Sequence, residues 1–337
     1  MFLISHSSAL EALRSIPPQV NRFKRFNDSI PVTELSAGSR KILPAGLDAL
    51  GVEKRPVHVL VGTGAPKGKS SQIRTHWINL EELPPGLALE LAPDVLVAGP
   101  ELVFALLGRS LAPVAEVVLG YELCGCYSQF AKLVSGFYDR PPLTSVAAIG
   151  RALDELAGVP RLGRARSALR WVADGARSPM ETVVACELSL PAELGGLGFQ
   201  KPQLNYPVAL DEAAARIAGC QTCYVDVAWP GARRGLEYNG SAYHLDAARD
   251  QRRREALAHM GWQLNVVDLD HMRDHGLLMA SVALFEGDLP RQPGGAASAQ
   301  AVAGLHQRLL KATRYGMGLE PALFGVPVPH GTVQLHL

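Results

Sequence analysis

The sequence predicts an α/β protein with two units, and two observations carry this prediction. Segments typical of buried strands, such as residues 57–61, alternate with segments that begin and end like helices. The chain has 337 residues, of which 47% are hydrophobic, so its length fits two domains and its composition supports sizeable cores. We predict an N-terminal α/β domain over residues 1–140 and a second domain over residues 141–337.

Charge and composition narrow the functional classes. The net charge is +1, so no global basic field attracts nucleic acid, and any such binding requires local patches. The first residues lack the features of a secretory signal, and no apolar run approaches the roughly 20 residues of a membrane helix. With five cysteines, an odd number, we expect a cytoplasmic protein whose thiols are reduced.

In the N-terminal domain, short-range signals define each element. Apolar runs predict strands, and a proline at a first helical position or just beyond a helix marks its ends. We expect a helix over residues 7–14, strands over 57–61, 73–78 and 94–98, and helices that begin at residue 100 and run over 111–123.

A glycine-rich basic loop over residues 62–71 joins two of these strands. Thr63 stands where a phosphate loop requires glycine, and Pro66 removes a backbone donor, so the loop is not typical of a nucleotide site. We expect a basic surface loop in which Lys67 and Lys69 contact nucleic-acid phosphate.

In the C-terminal domain, the sequence predicts a clear order of helices and strands over residues 178–268. Ser178, Pro179 and Glu181 have the spacing of a helix N-terminus, with serine as the cap, proline in the first position and glutamate three residues after the cap. The order predicted from there is helix, strand, strand, strand, helix, strand: residues 178–190, 207–210, a hairpin around 226–237, 246–260 and 262–268. Residues 142–175 are expected to be largely helical, and a last helix is expected over 301–315.

The hairpin carries the strongest chemical signal. If it closes at Gly231 and Ala232, Asp226 faces Glu237 directly, and two facing carboxylates repel each other unless something offsets them. A divalent cation is the simplest compensation, because Mg²⁺ or Mn²⁺ binds carboxylate oxygens. The hairpin is therefore a candidate metal site for phosphodiester hydrolysis.

Four further residues complete this candidate site. Glu181 could join Asp226 and Glu237 at one metal, and Asn239 lies on the same strand face as Glu237. His244 could act as a base or orient the attacking water, and Arg253 on the next helix could clamp a phosphate.

The order of these residues resembles the PD-(D/E)XK nuclease superfamily, and within it the domain-of-unknown-function family related to very-short-patch-repair endonucleases. The resemblance covers roughly 90 residues and rests on order and spacing rather than on one specific motif. It implies a restriction-endonuclease-like mixed sheet flanked by helices, Mg²⁺-dependent cleavage of DNA, and metal-ligand roles for Asp226, Glu237 and Glu181. The sequence departs from the family at Asn239, where the catalytic lysine would stand, and Asn cannot supply its charge.

The region up to about residue 130 is similar to abortive-infection-type antitoxins, the partners of nucleotidyltransferase toxins. The similar parts are residues 56–61, the basic loop, residues 74–76 and the helix start at residues 99–101. This similarity implies a second function: a non-catalytic, nucleic-acid-binding regulator with a degenerate nuclease fold and a toxin partner.

Simpler interpretations stand beside these roles. Asp226 and Glu237 could be solvated charges or partners of Arg233 and Arg234, and Glu181 could serve only as part of a capping box. His244 could cap the helix that follows it, and the arginines around residue 253 could form a solvated helix face. Four of the cysteines could supply thiolates to zinc, although buried and inert cysteines are the more common case: Cys124, Cys126, Cys220 and Cys223.

Overall fold

The protein is described by a computed structural model. It covers residues 1–15, 24–37, 46–48, 51–65, 70–130, 133, 135–239, 247–284, 287 and 289–313. The predicted α/β fold class is confirmed, because helices and several mixed sheets make up the described chain. Lys67, Lys69 and His244 lie outside the described residues, as does the end of the helix expected over 301–315.

The N-terminal half contains a six-stranded mixed sheet. Its strands are β1 (Phe2–Ile4), β2 (Arg25–Phe26), β4 (Val57–Gly62), β5 (Ile73–Ile78), β7 (Ala88–Ala92) and β8 (Val95–Ala98). Their order in the sheet is β2-β7-β8-β1-β4-β5. The central strands are buried, which explains their apolar runs. The predicted strands are present as β4, β5 and β8, whereas the three-residue β1 is too short for a sequence pattern.

Two small ribbons and five helices surround this sheet. The ribbons are β3 (Ile30–Pro31) with β6 (Glu82–Leu83), and β9 (Tyr127–Gln129) with β10 (Phe137–Asp139). The helices are α1 (His6–Ser15), α2 (Pro100–Leu107), α3 (Pro113–Cys124), α4 (Val146–Glu155) and α5 (Leu162–Leu169). Proline occupies the first position of α2, as the sequence predicts, and also that of α3, which begins at Pro113 rather than at the predicted residue 111.

The C-terminal half contains a four-stranded sheet. The elements of this half are α6 (Pro179–Ser189), β11 (Gln203–Ala209), α7 (Glu212–Ala218), β12 (Thr222–Trp229), β13 (Arg234–Asn239), α8 (Ala247–His259) and β14 (Gln263–Asp268). The strands lie in sequential order, β11-β12-β13-β14. The first two pairs are antiparallel, and β13 and β14 are parallel because helix α8 connects them. The predicted order of elements is present, with one extra short helix, α7.

Three more helices follow this sheet: α9 (Leu269–Arg273), α10 (His275–Ala283) and α11 (Ala299–Thr313). Helix α11 packs on α3 and α6, and α6 is buried on all sides. One contiguous apolar cluster therefore includes residues from both predicted domains, while a smaller cluster lies between the C-terminal sheet and α8. None of the described helices has the length and apolarity needed to cross a membrane.

Candidate functional site

The hairpin of β12 and β13 brings Asp226 and Glu237 to facing positions. Val227 pairs with Leu236 and Trp229 with Arg234, and the same register continued by one residue sets Asp226 opposite Glu237. The recorded backbone pairing stops at Val227, and beyond it the carboxylate of Asp226 accepts a hydrogen bond from the backbone N–H of Tyr238 at 3.0 Å. Asp226 therefore ties the two strands together with its side chain.

Glu181 lies in the first turn of α6, where the side chain of Ser178 caps the helix. Its carboxylate is only 6% exposed and accepts three hydrogen bonds. The donors are the backbone N–H of Arg177 at 2.9 Å, the hydroxyl of Ser178 at 3.1 Å and the side-chain amide of Asn205 at 2.8 Å. Ser178 caps the helix as predicted, but the capping-box role of Glu181 is not met as predicted, because its carboxylate accepts the backbone N–H of Arg177 rather than that of Ser178. The contact with Asn205 links this helix end to the sheet.

Asn205 has an unusual backbone conformation inside β11. Its φ is +46°, in the left-handed region that asparagine tolerates better than most residues. The neighbouring pairs, Leu204 with Val227 and Tyr206 with Val225, place it opposite Asp226. Its amide donates to Glu181 and to the carbonyl of Gly175, so it holds the helix end against the strand.

Buried Glu181 and half-buried Asp226 form a pair of neighbouring carboxyls. Burial raises the pKa of Glu181 to about 8, and the negative charge of Asp226 contributes to this rise. Burial also raises the pKa of Asp226, although the Tyr238 N–H and the charge of Arg253 oppose it. Two like charges in low dielectric disfavour simultaneous ionisation, and with its raised pKa Glu181 keeps its proton near neutral pH.

Glu237 has a different partner. Arg253 on α8 forms a bidentate ion pair with it, through Nη1 at 3.2 Å from Oε1 and a closer contact between Nη2 and Oε2. Arg253 also donates to the carbonyl of Tyr224 at 2.6 Å. Arg253, which was predicted to clamp a phosphate, therefore neutralises Glu237, a predicted metal ligand. Arg233, one of the predicted partners of the hairpin's carboxylates, donates a hydrogen bond to the carbonyl of Met260.

Asn239 is the last residue of β13, half-buried and paired with Asp268 of β14. It lies two residues beyond Glu237, as the family-like spacing requires.

A second cluster was not foreseen from the sequence. Among the described residues, a group that brings one ligand atom each within 4.8 Å of the others consists of Glu187, His275 and His306. It is a candidate metal-binding cluster built by α6, α10 and α11. One sequence signal could have indicated it: Glu187 is a lone charge within an apolar stretch of α6, which implies a buried carboxylate in need of partners.

Hydrogen bonds define the geometry of this cluster. The two carboxylate oxygens of Glu187 lie 2.5 Å from His275 Nε2 and 2.9 Å from His306 Nδ1. Glu187 and His306 are almost completely buried, and His275 is half-buried. Although burial alone raises the pKa of Glu187, the hydrogen bonds and charges of the two histidines outweigh it and lower that pKa overall.

The cysteines do not join either carboxylate group. Cys220 and Cys223 approach each other, with Sγ atoms 4.0 Å apart, at the start of β12. Cys124 is buried at the end of α3, and burial raises the pKa of its thiol. Cys124 and Cys223 are buried and their thiol pKa values are raised by burial, in agreement with the inert interpretation, whereas Cys220 is exposed.

A cationic cavity of about 380 Å³ opens in the N-terminal half. Arg109, Arg161 and the stacked rings of His6 and His76 line it, together with Trp77, and no carboxylate is among its described lining residues. Burial lowers the pKa of His6 to about 2 and that of His76 to about 4, with the neighbouring histidines and arginines adding to both shifts. The histidines are therefore neutral, and the two arginines supply the positive charge.

Comparisons with protein-family models, with curated proteins and with solved structures found no significant match to this chain.

Proposed function

We propose that the C-terminal half is a Mg²⁺- or Mn²⁺-dependent endonuclease that hydrolyses DNA phosphodiester bonds. One observation carries the proposal: the carboxyls of buried Glu181 and half-buried Asp226 are neighbours that disfavour each other's ionisation, beside Glu237 on the adjoining strand. Carboxylate oxygens are the ligands that hard divalent cations prefer, and a cation would allow both carboxyls to ionise.

The residues divide the work in a simple way. Asp226 and Glu181 would hold the ion, which polarises the phosphate and lowers the pKa of the attacking water. The guanidinium of Arg253, which pairs with Glu237 in this structure, would leave that carboxylate and contact a phosphate oxygen when DNA binds. Asn239 can orient a water or a phosphate oxygen through its amide, but it cannot provide the charge of a lysine.

Cleavage of supercoiled plasmid and of labelled oligonucleotides with Mg²⁺ or Mn²⁺ tests this proposal. Asp226→Asn keeps the shape of the side chain and removes its charge, so we expect a loss of about 100-fold or more in rate. Glu212→Gln is the matched control, because Glu212 is an exposed carboxylate on α7. Equal rates for wild type and Asp226→Asn would contradict the mechanism.

The second candidate function is a nucleic-acid-binding regulator that does not cleave, with a toxin as its partner. Two observations favour it: Arg253 already neutralises Glu237, and the N-terminal cavity presents Arg109 and Arg161 without a carboxylate. Paired Arg109→Gln and Arg161→Gln substitutions should then weaken DNA binding and lower the salt slope by about one per lost phosphate contact. Binding that is unaffected by either substitution argues against this role for the cavity.

A further inference from the structure

We propose that Glu187, His275 and His306 bind one Zn²⁺ ion that fastens helices α6, α10 and α11 to one another. The three side chains come from distant parts of the chain, since His275 and His306 lie 88 and 119 residues from Glu187. Their ligand atoms nevertheless lie within 4.8 Å of one another. This site is separate from the carboxyl pair of Glu181 and Asp226, and it does not depend on nuclease activity.

The ring of His306 supplies the most specific argument. Its Nε2 lies 2.9 Å from the carbonyl oxygen of Met272, which accepts hydrogen bonds and cannot donate one. Nε2 must therefore carry the proton, and in a neutral ring Nδ1 then presents a lone pair to the carboxylate of Glu187 at 2.9 Å. Two lone pairs repel, so either a second proton or a cation belongs between these atoms.

The surroundings of His306 match those of a metal ligand. Histidines that bind metals usually donate the opposite ring N–H to a carbonyl or carboxylate, which fixes the tautomer and aims the free nitrogen at the ion. Met272 fills that outer position for His306. In the metal-free state His306 carries both ring protons and His275 donates from Nε2. Binding Zn²⁺ therefore releases one proton from His306, while the ring proton of His275 moves to Nδ1 so that Nε2 can bind the ion.

The ligand set selects the class of ion. Two imidazoles and one carboxylate are a recurring ligand set for Zn²⁺, and three protein ligands leave a fourth position for water. Mg²⁺ prefers oxygen ligands in octahedral geometry and fits this set poorly. His275 is half-buried, unlike Glu187 and His306, so the ion has a route from solvent through that side.

The experiment uses the full chain without a histidine tag, equilibrated with Zn²⁺, dialysed against metal-free buffer and assayed by elemental analysis. We expect one Zn²⁺ per wild-type chain, and a Co²⁺-substituted sample should show the absorption of a tetrahedral site. Competition with a chromophoric chelator then gives the affinity, which His275→Asn and Glu187→Gln should lower by about 100-fold or more.

His259→Asn is the matched control, because His259 lies on the exposed side of α8 and belongs to no such cluster. Its zinc affinity should equal that of wild type, as should that of Asp226→Asn, which disables the proposed nuclease site. A Cys220→Ser/Cys223→Ser double variant should also retain zinc. Circular dichroism checks folding, and should Glu187→Gln fail to fold, the half-buried His275→Asn decides the question.

Three results would overturn the proposal. The first is a wild-type chain that binds no Zn²⁺ at saturating concentration, which would leave a buried imidazolium–carboxylate pair. The second is zinc binding of unchanged affinity in folded His275→Asn. The third is loss of zinc in the double cysteine variant, which would assign the ion to the thiols.

Discussion

Two buried glutamates on helix α6 meet opposite electrostatic environments. Glu181 and Glu187 are six residues apart, about 9 Å along the helix axis at 1.5 Å per residue. Burial and the nearby carboxylate of Asp226 raise the pKa of Glu181 to about 8. The histidines beside Glu187 outweigh its burial and lower its pKa.

The difference teaches that burial alone does not decide the charge of a carboxyl group. Both glutamates lose hydration to a similar degree, since both are nearly inaccessible. The sign of the shift follows from the partner that faces each one: a like charge at one end of the helix and two proton donors at the other. The Glu181 end of the helix therefore suits a hard cation with oxygen ligands, and the Glu187 end suits a cation that binds imidazole nitrogen.

The largest effect should come from removing Glu187. Glu187→Ala leaves His306 buried without its carboxylate, and breaking such a buried pair costs about 3–5 kcal/mol in the free energy of unfolding. Glu181→Gln should cost far less at pH 7, because Glu181 is already protonated there and glutamine keeps its shape. Urea denaturation in the presence of a chelator measures both; similar losses for the two variants would break the comparison.

The pH dependence of stability should distinguish Glu181 from Glu187 on the same helix. Its folded pKa of about 8 lies above the ordinary 4.5, so between these values the folded state holds a proton that the unfolded state has released. Stability therefore falls as the pH rises from 4.5 to 8. Unfolding free energies at pH 5 and pH 8.5 should show a loss that is smaller by up to about 4 kcal/mol in Glu181→Gln than in wild type, at about 1.4 kcal/mol per unit of pKa shift. Parallel pH profiles for the two proteins would refute this assignment.

The histidines of the N-terminal cavity sharpen the comparison, because they lack the carboxylate that His306 has. The folded pKa of His76 is about 4, below the ordinary 6.5, so the unfolded state binds a proton first as the pH falls. Stability is complete above pH 6.5 and declines from there towards pH 4. His76→Gln should flatten this decline by about 1 kcal/mol, a value reduced for the partial exposure of the ring. His259→Gln changes an exposed histidine of α8 outside the cavity and is the control, and thermal unfolding at pH 4.5 and 7 is the measurement.

The smallest effect concerns Arg253, whose guanidinium neutralises Glu237 beside the other carboxyls. Arg253→Gln frees that carboxylate, and we expect Mn²⁺ to bind about fivefold more tightly, equivalent to about 1 kcal/mol. Arg252→Gln changes an exposed arginine on the same helix and should leave Mn²⁺ affinity unchanged. Calorimetric titration compares the variants, and weaker Mn²⁺ binding in Arg253→Gln would assign the arginine a supporting role instead.

Local patterns in the sequence predicted much of the fold and part of the candidate site. The cap at Ser178, the hairpin register and the helix that joins two parallel strands all depend on residues close together in the chain. The short elements β1 and α7 were not predicted, because so few residues show no measurable periodicity. The cluster of Glu187, His275 and His306 was not predicted for a different reason: its members meet only after three helices that are distant in the sequence have packed together.

The partner of Arg253 also could not be read from the sequence. Arg233 and Arg234 are nearer to Glu237 along the chain, but α8 crosses the sheet face and delivers a residue 16 positions away. Packing geometry, not sequence distance, selected the ion pair.

Asn205 meets two demands that few residues satisfy together. Its left-handed backbone favours asparagine, aspartate or glycine, and its side chain must donate a hydrogen bond to Glu181. Glycine has no side chain to donate, and aspartate would place a third carboxyl beside Glu181 and Asp226. In evolutionary terms, a distant chain that keeps this carboxyl pair should keep asparagine at this position, which makes residue 205 a marker for recognising relatives that overall sequence similarity does not reveal.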